Sequence, residues 1–179
     1  LDREKQLSVD EAVRIAVEVA DALDYAHRHG VVHRDIKPGN ILLSERHALI
    51  ADFGIARAIE AAREERITST GLGVGTPLYA SPEQATGDQS IGPTADIYAL
   101  ACVLYEMLCG HPPFADGSRR AVLVHQMLDA APDIREECPD VPLELVGIVK
   151  TALDKEPAKR FASAAEMSAA LASVRSSID

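Results

Sequence analysis

Residue types that can take part in catalysis concentrate in two short stretches of the sequence. The first reads HRDIKPGN at residues 33–40, and the second reads DFG at residues 52–54. Together they offer carboxylates, a cation and hard oxygen atoms of the kind that bind Mg²⁺. These are the parts that transfer of a phosphoryl group needs, because its catalysis consists mainly of positioning and of neutralising negative charge.

Each of these residues taken singly has an ordinary structural explanation. Asp35 could be a turn residue, Lys37 a solvated cation and Asn40 the cap of a strand. Asp52 lies close to a glycine and could belong to a plain turn. Such explanations fail for the whole set, because they give no reason for these residue types to occur together at these spacings.

A third segment, GTPLYASPE at residues 75–83, follows the first two along the chain. The three segments resemble the HRD catalytic loop, the DFG motif and the P+1 loop ending in APE of protein kinases, with Ser81 in place of the usual Ala. DIKPGN and SPEQ are most similar to bacterial Hanks-type serine/threonine kinases. The resemblance covers essentially the whole chain. It implies a mainly α fold with a small β-hairpin, the C-terminal lobe of a kinase domain over residues 1–179, with catalytic loop 33–40 and activation segment 52–83.

The resemblance implies a role for each reactive residue. Asp35 is expected to accept the proton of the attacking hydroxyl, and Lys37 to contact the transferred phosphoryl group, as in the serine/threonine form of this loop. Thr76 is expected to hydrogen-bond both of them. Asn40 and Asp52 match the two Mg²⁺ ligands of the family, so ATP and Mg²⁺ are the implied cofactors.

Other residues are implied to support the architecture. Leu42 is expected to lie beneath the adenine of ATP. Glu83 is expected to form a buried ion pair with Arg160, and Asp96 to hydrogen-bond the backbone of the catalytic loop. Packing or turn roles are implied for His33, Phe53 and Gly54.

Arg34, directly before Asp35, is typical of kinases that are switched by phosphorylation of the activation segment. A phosphate adds close to two negative charges, which an arginine cluster can bind. The candidate acceptors lie between residues 52 and 83, and we rank Thr70 and Thr68 above Ser69. The alternative is that all three are ordinary loop hydroxyls.

Periodicity and capping signals predict the elements that position these residues. A capping box at Ser8 and Glu11 begins a helix over about 9–29, which Gly30 closes. Short β segments follow at Val31–Val32 and in a hairpin of Ile41–Leu43 with Ala48–Ala51. A long loop is predicted from Asp52 to about Gly92. Further helices are predicted over about 94–109, from Asp116 or Ser118 to about 129, over 142–153, and from Ser163 to about Val174.

Composition narrows the possible partners. The chain has 179 residues, of which 47% are apolar, and a net charge of −10. This balance argues against a general nucleic-acid surface, which would need a basic patch. No apolar run reaches bilayer length, so we expect no membrane contact within the chain and a cytoplasmic location, with any tether outside it. The widely spaced Cys102, Cys109 and Cys138 predict buried free thiols in a reducing compartment.

The long first helix begins almost at the start of the sequence. The resemblance therefore implies that the N-terminal lobe, with its Gly-rich loop and its strand lysine, is absent. We expect the isolated chain to bind Mg·ATP weakly, which calorimetry would measure, and to turn over poorly. The apolar surface that normally faces that lobe is a candidate site for self-association.

Two other functions compete with a catalytic lobe acting on protein substrates. A non-catalytic binding or regulatory lobe would fit the missing N-terminal lobe, but it gives no chemical reason for retaining Asp35, Lys37, Asn40 and Asp52. A small-molecule phosphotransferase of kinase-like fold is disfavoured by Lys37, by Thr76 and by the SPE segment, which build a platform for a protein substrate.

Overall fold

The structure is a computed structural model that describes residues 6–44, 47–53, 77–88 and 90–178. It is mainly α-helical with one two-stranded antiparallel sheet, which confirms the predicted fold class. The described elements, in chain order, are α1 (Val9–Arg28), a 3-10 turn (Pro38–Asn40), β1 (Ile41–Ser44), β2 (His47–Ile50), α2 (Pro82–Ala85), α3 (Pro93–Cys109), α4 (Arg119–Leu128), α5 (Ile134–Glu137), α6 (Leu143–Ala152), a second 3-10 turn (Pro157–Lys159) and α7 (Ala164–Ile178).

Helix α3 is the centre of the core. Its side chains from Ala95 to Cys109 are buried with the single exception of Glu106. Helices α1, α5, α6 and α7 all pack against it, so the helix has little contact with solvent on any side. Gly110 ends it with a left-handed φ of 84°, a conformation that glycine adopts without steric cost.

Helix α1 begins and ends where its sequence signals predict. The Ser8 Oγ accepts a hydrogen bond from the Glu11 N–H (3.3 Å). At the other end Gly30 has a φ of 76°. The Gly30 and Val31 N–H groups donate to the carbonyls of His27 and Ala26. One apolar face of α1 packs on α3 and α7, and its contact with β2 places the hairpin on the same side of the molecule.

The short β segment predicted at Val31–Val32 is wrong, because neither residue belongs to a strand. The Val31 N–H completes the end of α1 by donating to the Ala26 carbonyl at 3.0 Å. An apolar pair after a helix-ending glycine is too short to distinguish a strand from an extended connection.

The predicted hairpin is present with the register Ile41↔Ile50, Leu42↔Leu49, Leu43↔Ala48 and Ser44↔His47. Helix α1 supports it, because the Glu18 carboxylate accepts a hydrogen bond from the Ala48 N–H at 2.5 Å. The Ala51 N–H continues the ladder by donating to the Asn40 carbonyl at 2.8 Å. The end of the catalytic loop and the start of the predicted activation segment are therefore neighbours.

Two short helices were not predicted, and the last helix extends further than predicted. Helix α2 interrupts the predicted loop, and its capping box of Ser81 and Gln84 is a signal that the sequence contained. Helix α5 lies where no element was predicted. Helix α7 begins directly after its predicted cap, Ser163, whose Oγ accepts a hydrogen bond from the Glu166 N–H at 3.2 Å. It ends at Ile178, beyond the predicted end at Val174, because neither glycine nor proline follows Val174. None of the helices within the described ranges has the length and apolarity needed to cross a membrane.

Candidate active site

Asp96, on the first turn of α3, organises the backbone of the predicted catalytic loop. Its carboxylate is fully buried and accepts hydrogen bonds from the N–H groups of His33 (2.8 Å) and Arg34 (2.7 Å). His27, on the last turn of α1, contacts the same carboxylate through Nε2 at 2.8 Å. Three groups from two elements thus converge on one carboxylate of the core helix, which fixes the loop relative to the core.

The residue before Asp35 is held in a strained conformation. Arg34 has a φ of 66°, in the left-handed region that non-glycine residues seldom adopt. Strain of this kind costs about 1–3 kcal/mol and persists only where surrounding contacts impose it. Asp96 holds the Arg34 N–H, and the Gln84 side chain of α2 donates to the Arg34 carbonyl at 2.7 Å. The strained peptide turns the chain so that the next side chain, Asp35, reaches the surface.

Asp35, Lys37 and Asn40 form a compact polar cluster. The Lys37 Nζ donates to the Asp35 Oδ2 at 2.6 Å, and the two side chains are 43% and 56% exposed. The Asn40 Nδ2 donates to the Asp35 carbonyl at 2.7 Å and to its Oδ2 at 3.2 Å. The carboxylate is therefore oriented from two sides while it remains open to solvent, as a group that meets a substrate must be.

His33 is a packing residue in this structure. Its Nδ1 accepts from the Asp35 N–H at 3.3 Å, and its Nε2 lies 2.9 Å from the Ala51 carbonyl. These two partners call for the neutral tautomer with the proton on Nε2. The ring is 1% exposed and packs edge-on against Phe53, with centroids 4.9 Å apart. Both of its nitrogens are committed to backbone groups.

Asn40 and Asp52 offer oxygen ligands at the same end of the hairpin. Both hydrogen bonds of the Asn40 side chain come from Nδ2, so its amide oxygen is the atom left for a cation. Asp52 follows directly after Ala51, which is bonded to Asn40, and its own φ of 65° turns the chain sharply there. An amide oxygen and an exposed carboxylate suit Mg²⁺, which takes a few protein oxygens together with phosphate oxygens and water.

An apolar surface lies on the hairpin beside these ligands. Leu42 and its cross-strand partner Leu49, which lie on the same face of the hairpin, are 54% and 53% exposed. A flat base could lie on such a surface, and Leu42 is the member predicted to contact adenine. We keep that contact as a proposal.

Glu83 and Arg160 form a bidentate ion pair behind the loop. Arg160 Nη1 and Nη2 lie 2.7 and 2.8 Å from the two carboxylate oxygens of Glu83, and the Arg160 side chain has no exposed area. The same guanidinium also donates to the carbonyls of Thr94 and Asp154. Burial is the largest single influence on the pKa of Glu83 and would raise it. The hydrogen bonds and positive charge of Arg160, together with hydrogen bonds from the Glu83 backbone and from Ser81, outweigh burial and lower that pKa. The stability that this pair contributes is therefore complete at neutral pH and is lost as pH falls through the lowered pKa.

A buried network that the sequence analysis missed holds the segment before α2. Gln126 of α4 is fully buried, and its Nε2 donates to the Leu78 carbonyl at 2.8 Å. The Tyr98 hydroxyl donates to the Gln126 Oε1, and the Lys155 Nζ donates to the Gln126 carbonyl at 2.8 Å. Burial lowers the pKa of Lys155 to about 8, so the amine still carries its proton at neutral pH. No local pattern marks Gln126, because its partners are distant in sequence.

Several predicted site residues lie outside the described residues. They are Gly54, Thr68, Ser69, Thr70 and Thr76. Their predicted roles stay predictions.

Substitution of Asp96 by Asn tests the support of the loop. An amide keeps the shape but has one acceptor oxygen in place of two, so one of the buried N–H groups loses its partner. We expect the free energy of unfolding to fall by about 3 kcal/mol, because hydrogen bonds to a buried charge are lost. Chemical denaturation measures this fall. Asp140→Asn, at an exposed position, is the matched control, and equal unfolding midpoints for the two variants would contradict the role of Asp96.

Comparison with known proteins agrees with this fold and geometry. A family model described as the protein kinase domain matches residues 1–171. The serine/threonine-protein kinase PknB of Mycolicibacterium smegmatis is 44% identical over 162 residues, which are 89% of this chain and 25% of that protein. The serine/threonine-protein kinase drp72 of Corynebacterium efficiens is 43% identical over 176 residues, 98% of this chain and 32% of that protein. PknJ of Mycobacterium tuberculosis is 40% identical over 177 residues, 95% of this chain and 29% of that protein.

The fold and the site define a protein kinase domain, and the chain belongs to that family. Its similarity to these relatives places it among the bacterial Hanks-type serine/threonine kinases, which confirms the predicted family. The chain spans about a quarter to a third of the length of the curated relatives that it matches.

Proposed function

We propose that the protein containing this chain transfers the γ-phosphoryl group of ATP to serine and threonine hydroxyls of protein substrates. The observation that carries this proposal is the exposed Asp35 carboxylate, held 2.6 Å from the Lys37 ammonium and oriented by Asn40. A proton acceptor and a cation at this distance suit a reaction in which a hydroxyl loses its proton while negative charge moves between phosphate oxygens. Phosphate transfer to a protein substrate, lost on substitution of Asp35, is the test.

The proposed mechanism assigns one task to each residue of the cluster. Asp35 orients the substrate hydroxyl and receives its proton as the oxygen attacks. Lys37 neutralises charge on the phosphoryl group as it is transferred. Asn40 and Asp52 would hold Mg²⁺, which when bound shields the negative charge of the phosphates. Because the contact between Lys37 and Asp35 is exposed, it adds little to stability, and its value lies in positioning.

The finer parts of the proposal concern residues beyond the cluster. We infer that Leu42 contacts adenine and that Thr76 bonds Asp35 and Lys37. Phosphorylation at Thr70 or Thr68, with Ser69 as the third candidate, would act through Arg34. Within the described residues, groups that clamp the α- and β-phosphates are not found, so we propose that these residues need others for full activity.

The proposed partners follow from the same resemblance and from the charge. They are protein substrates and the N-terminal lobe of the same kinase, with self-association through the exposed leucines of the hairpin as a further proposal. A net charge of −10 supports the absence of a nucleic-acid partner. We keep a cytoplasmic location, with any membrane tether outside this chain, as a proposal.

The network around Gln126 leads to a prediction about substrate binding. In protein kinases of this family the segment that contains Leu78 forms the platform for the substrate, and Gln126 anchors its backbone here. Gln126→Leu removes the anchor and leaves the Leu78 carbonyl and the Tyr98 hydroxyl without this partner. We expect KM for a protein substrate to rise on the order of 10-fold, with KM for ATP unchanged.

Steady-state kinetics of the complete protein would measure both constants. His125→Gln is the matched control, since His125 is adjacent on α4 and, among the described residues, its side chain hydrogen-bonds the exposed Asp129 and not the segment before α2. If Gln126→Leu and His125→Gln gave the same KM for the protein substrate, Gln126 would not position the platform.

A further inference from the structure

Two of the three cysteines lie in contact at one end of the central helix. Cys109 is the last residue of α3, and Cys138 is the C-terminal cap of α5. Their Sγ atoms are 3.4 Å apart, although the two residues are 29 positions apart in the sequence. The sequence predicted buried free thiols. The structure keeps all three cysteines free, leaves Cys138 only partly buried, and brings it into contact with Cys109.

We propose that Cys109 and Cys138 are a modification site, at which hydrogen peroxide converts the two thiols into a reversible intramolecular disulfide. The sulfur atoms have to approach only from 3.4 Å to about 2.05 Å to reach bonding distance. Rotation of the Cys138 side chain can supply part of this movement, because Cys138 is the cap at the end of a four-residue helix and not an interior residue of a long one. The proposal rests on this pair alone and does not depend on phosphoryl transfer.

The two thiols differ in their access to an oxidant. Cys109 is 6% exposed, whereas Cys138 is only partly buried. Burial, together with the neighbouring Cys138, raises the pKa of Cys109 to about 12, so its thiol keeps its proton at neutral pH. Cys138 therefore meets the oxidant first, and Cys109 is the resolving thiol beside it.

The reaction proceeds in two balanced steps. The Cys138 thiolate attacks one peroxide oxygen, the O–O bond breaks, and the leaving hydroxide takes a proton to become water, which leaves a sulfenic acid on Cys138. The Cys109 sulfur then attacks the Cys138 sulfur, the S–O bond breaks, and the departing hydroxide takes the thiol proton of Cys109 to form a second water. The two thiols are oxidised by two electrons, and one peroxide is reduced to two waters.

The new bond would close a loop that contains α4. Residues between Cys109 and Cys138 include Gln126, which contacts the Leu78 carbonyl. A covalent link at the base of this loop would tie α5 to the end of the core helix. A link of this kind restricts local opening of the segment between the two cysteines.

Peptide mapping of the complete protein after native treatment with hydrogen peroxide tests the proposal. Among the three cysteines of this chain we expect two to lose their reaction with an alkylating agent, and we expect a peptide in which Cys109 is joined to Cys138, both changes being reversed by dithiothreitol. Cys102→Ala is the matched control and should keep the joined peptide, since Cys102 is fully buried elsewhere on α3. In Cys138→Ala we expect no joined peptide and a reduced Cys109.

Dimedone, which labels sulfenic acids, tests whether Cys138 is oxidised first. In Cys109→Ala, which lacks the resolving thiol, dimedone should label Cys138. If the wild-type protein were labelled or over-oxidised at Cys138 without a peptide joined to Cys109, or formed a disulfide only between two copies of the chain, the proposal would be overturned.

Discussion

Asp35→Asn is expected to lower the rate of phosphate transfer to a protein substrate by between about 10²-fold and 10⁴-fold, the usual contribution of a general base. Asparagine has the shape of aspartate and can still accept a hydrogen bond from Lys37, but it cannot take up the proton of the attacking hydroxyl. The Asp35 side chain is 56% exposed, so the substitution should leave the fold intact. The loss would therefore report chemistry rather than unfolding.

Steady-state phosphotransfer by the complete protein measures this effect, and thermal melting of the same samples checks the fold. Asp140→Asn serves again as the exposed control and should keep full activity. If Asp35→Asn retained activity within a factor of about 3 of the control, less than a general base contributes, Asp35 would not be the proton acceptor.

Arg160→Met is expected to lower the free energy of unfolding by about 3–5 kcal/mol, because it leaves the buried Glu83 carboxylate without its partner. The pair has 0% and 10% exposed side chains, and methionine fills much of the space without replacing the bonds to the Thr94 and Asp154 carbonyls. Urea denaturation at neutral pH would measure the fall.

Lys159→Met is the matched control, since Lys159 is the adjacent cation and its ion pair in the described part of the chain is with the exposed Glu156. Its unfolding midpoint should equal that of the wild-type protein. The double variant Arg160→Met with Glu83→Gln should lose less than the sum of the two single losses, because removing both charges leaves no buried ion alone. A strictly additive double variant would show that the two residues contribute independently.

Local signals in the sequence predicted most of the helices and the hairpin. Ser8 with Glu11, Gly30, Gly110 and Ser163 each act through neighbours within a few residues, so their effect can be predicted without the fold. The cap of α2 is equally local, and its SxxQ pattern was present but not used. The strand predicted at residues 31–32 failed because two apolar residues do not define a period.

The candidate site was predictable only in part. Asp35, Lys37 and Asn40 are close in sequence and converge through one short loop. The contacts of Gln126 with residues 77 and 78, and of Cys109 with Cys138, join segments that meet only after the helices pack. The contact of His27 with Asp96 was equally unpredictable. The sequence shows which face of α1 carries His27, but it does not show that this face packs against Asp96.

Phosphoamino-acid analysis of a protein substrate, after incubation of the complete protein with γ-labelled ATP and Mg²⁺, tests whether this protein transfers phosphate to serine and threonine. We expect label on phosphoserine and phosphothreonine with the wild-type protein, and loss of that label with Asp35→Asn. Label that persists unchanged in Asp35→Asn, or a well-folded wild-type protein that transfers no label to any protein serine or threonine, its own included, would contradict the proposed function.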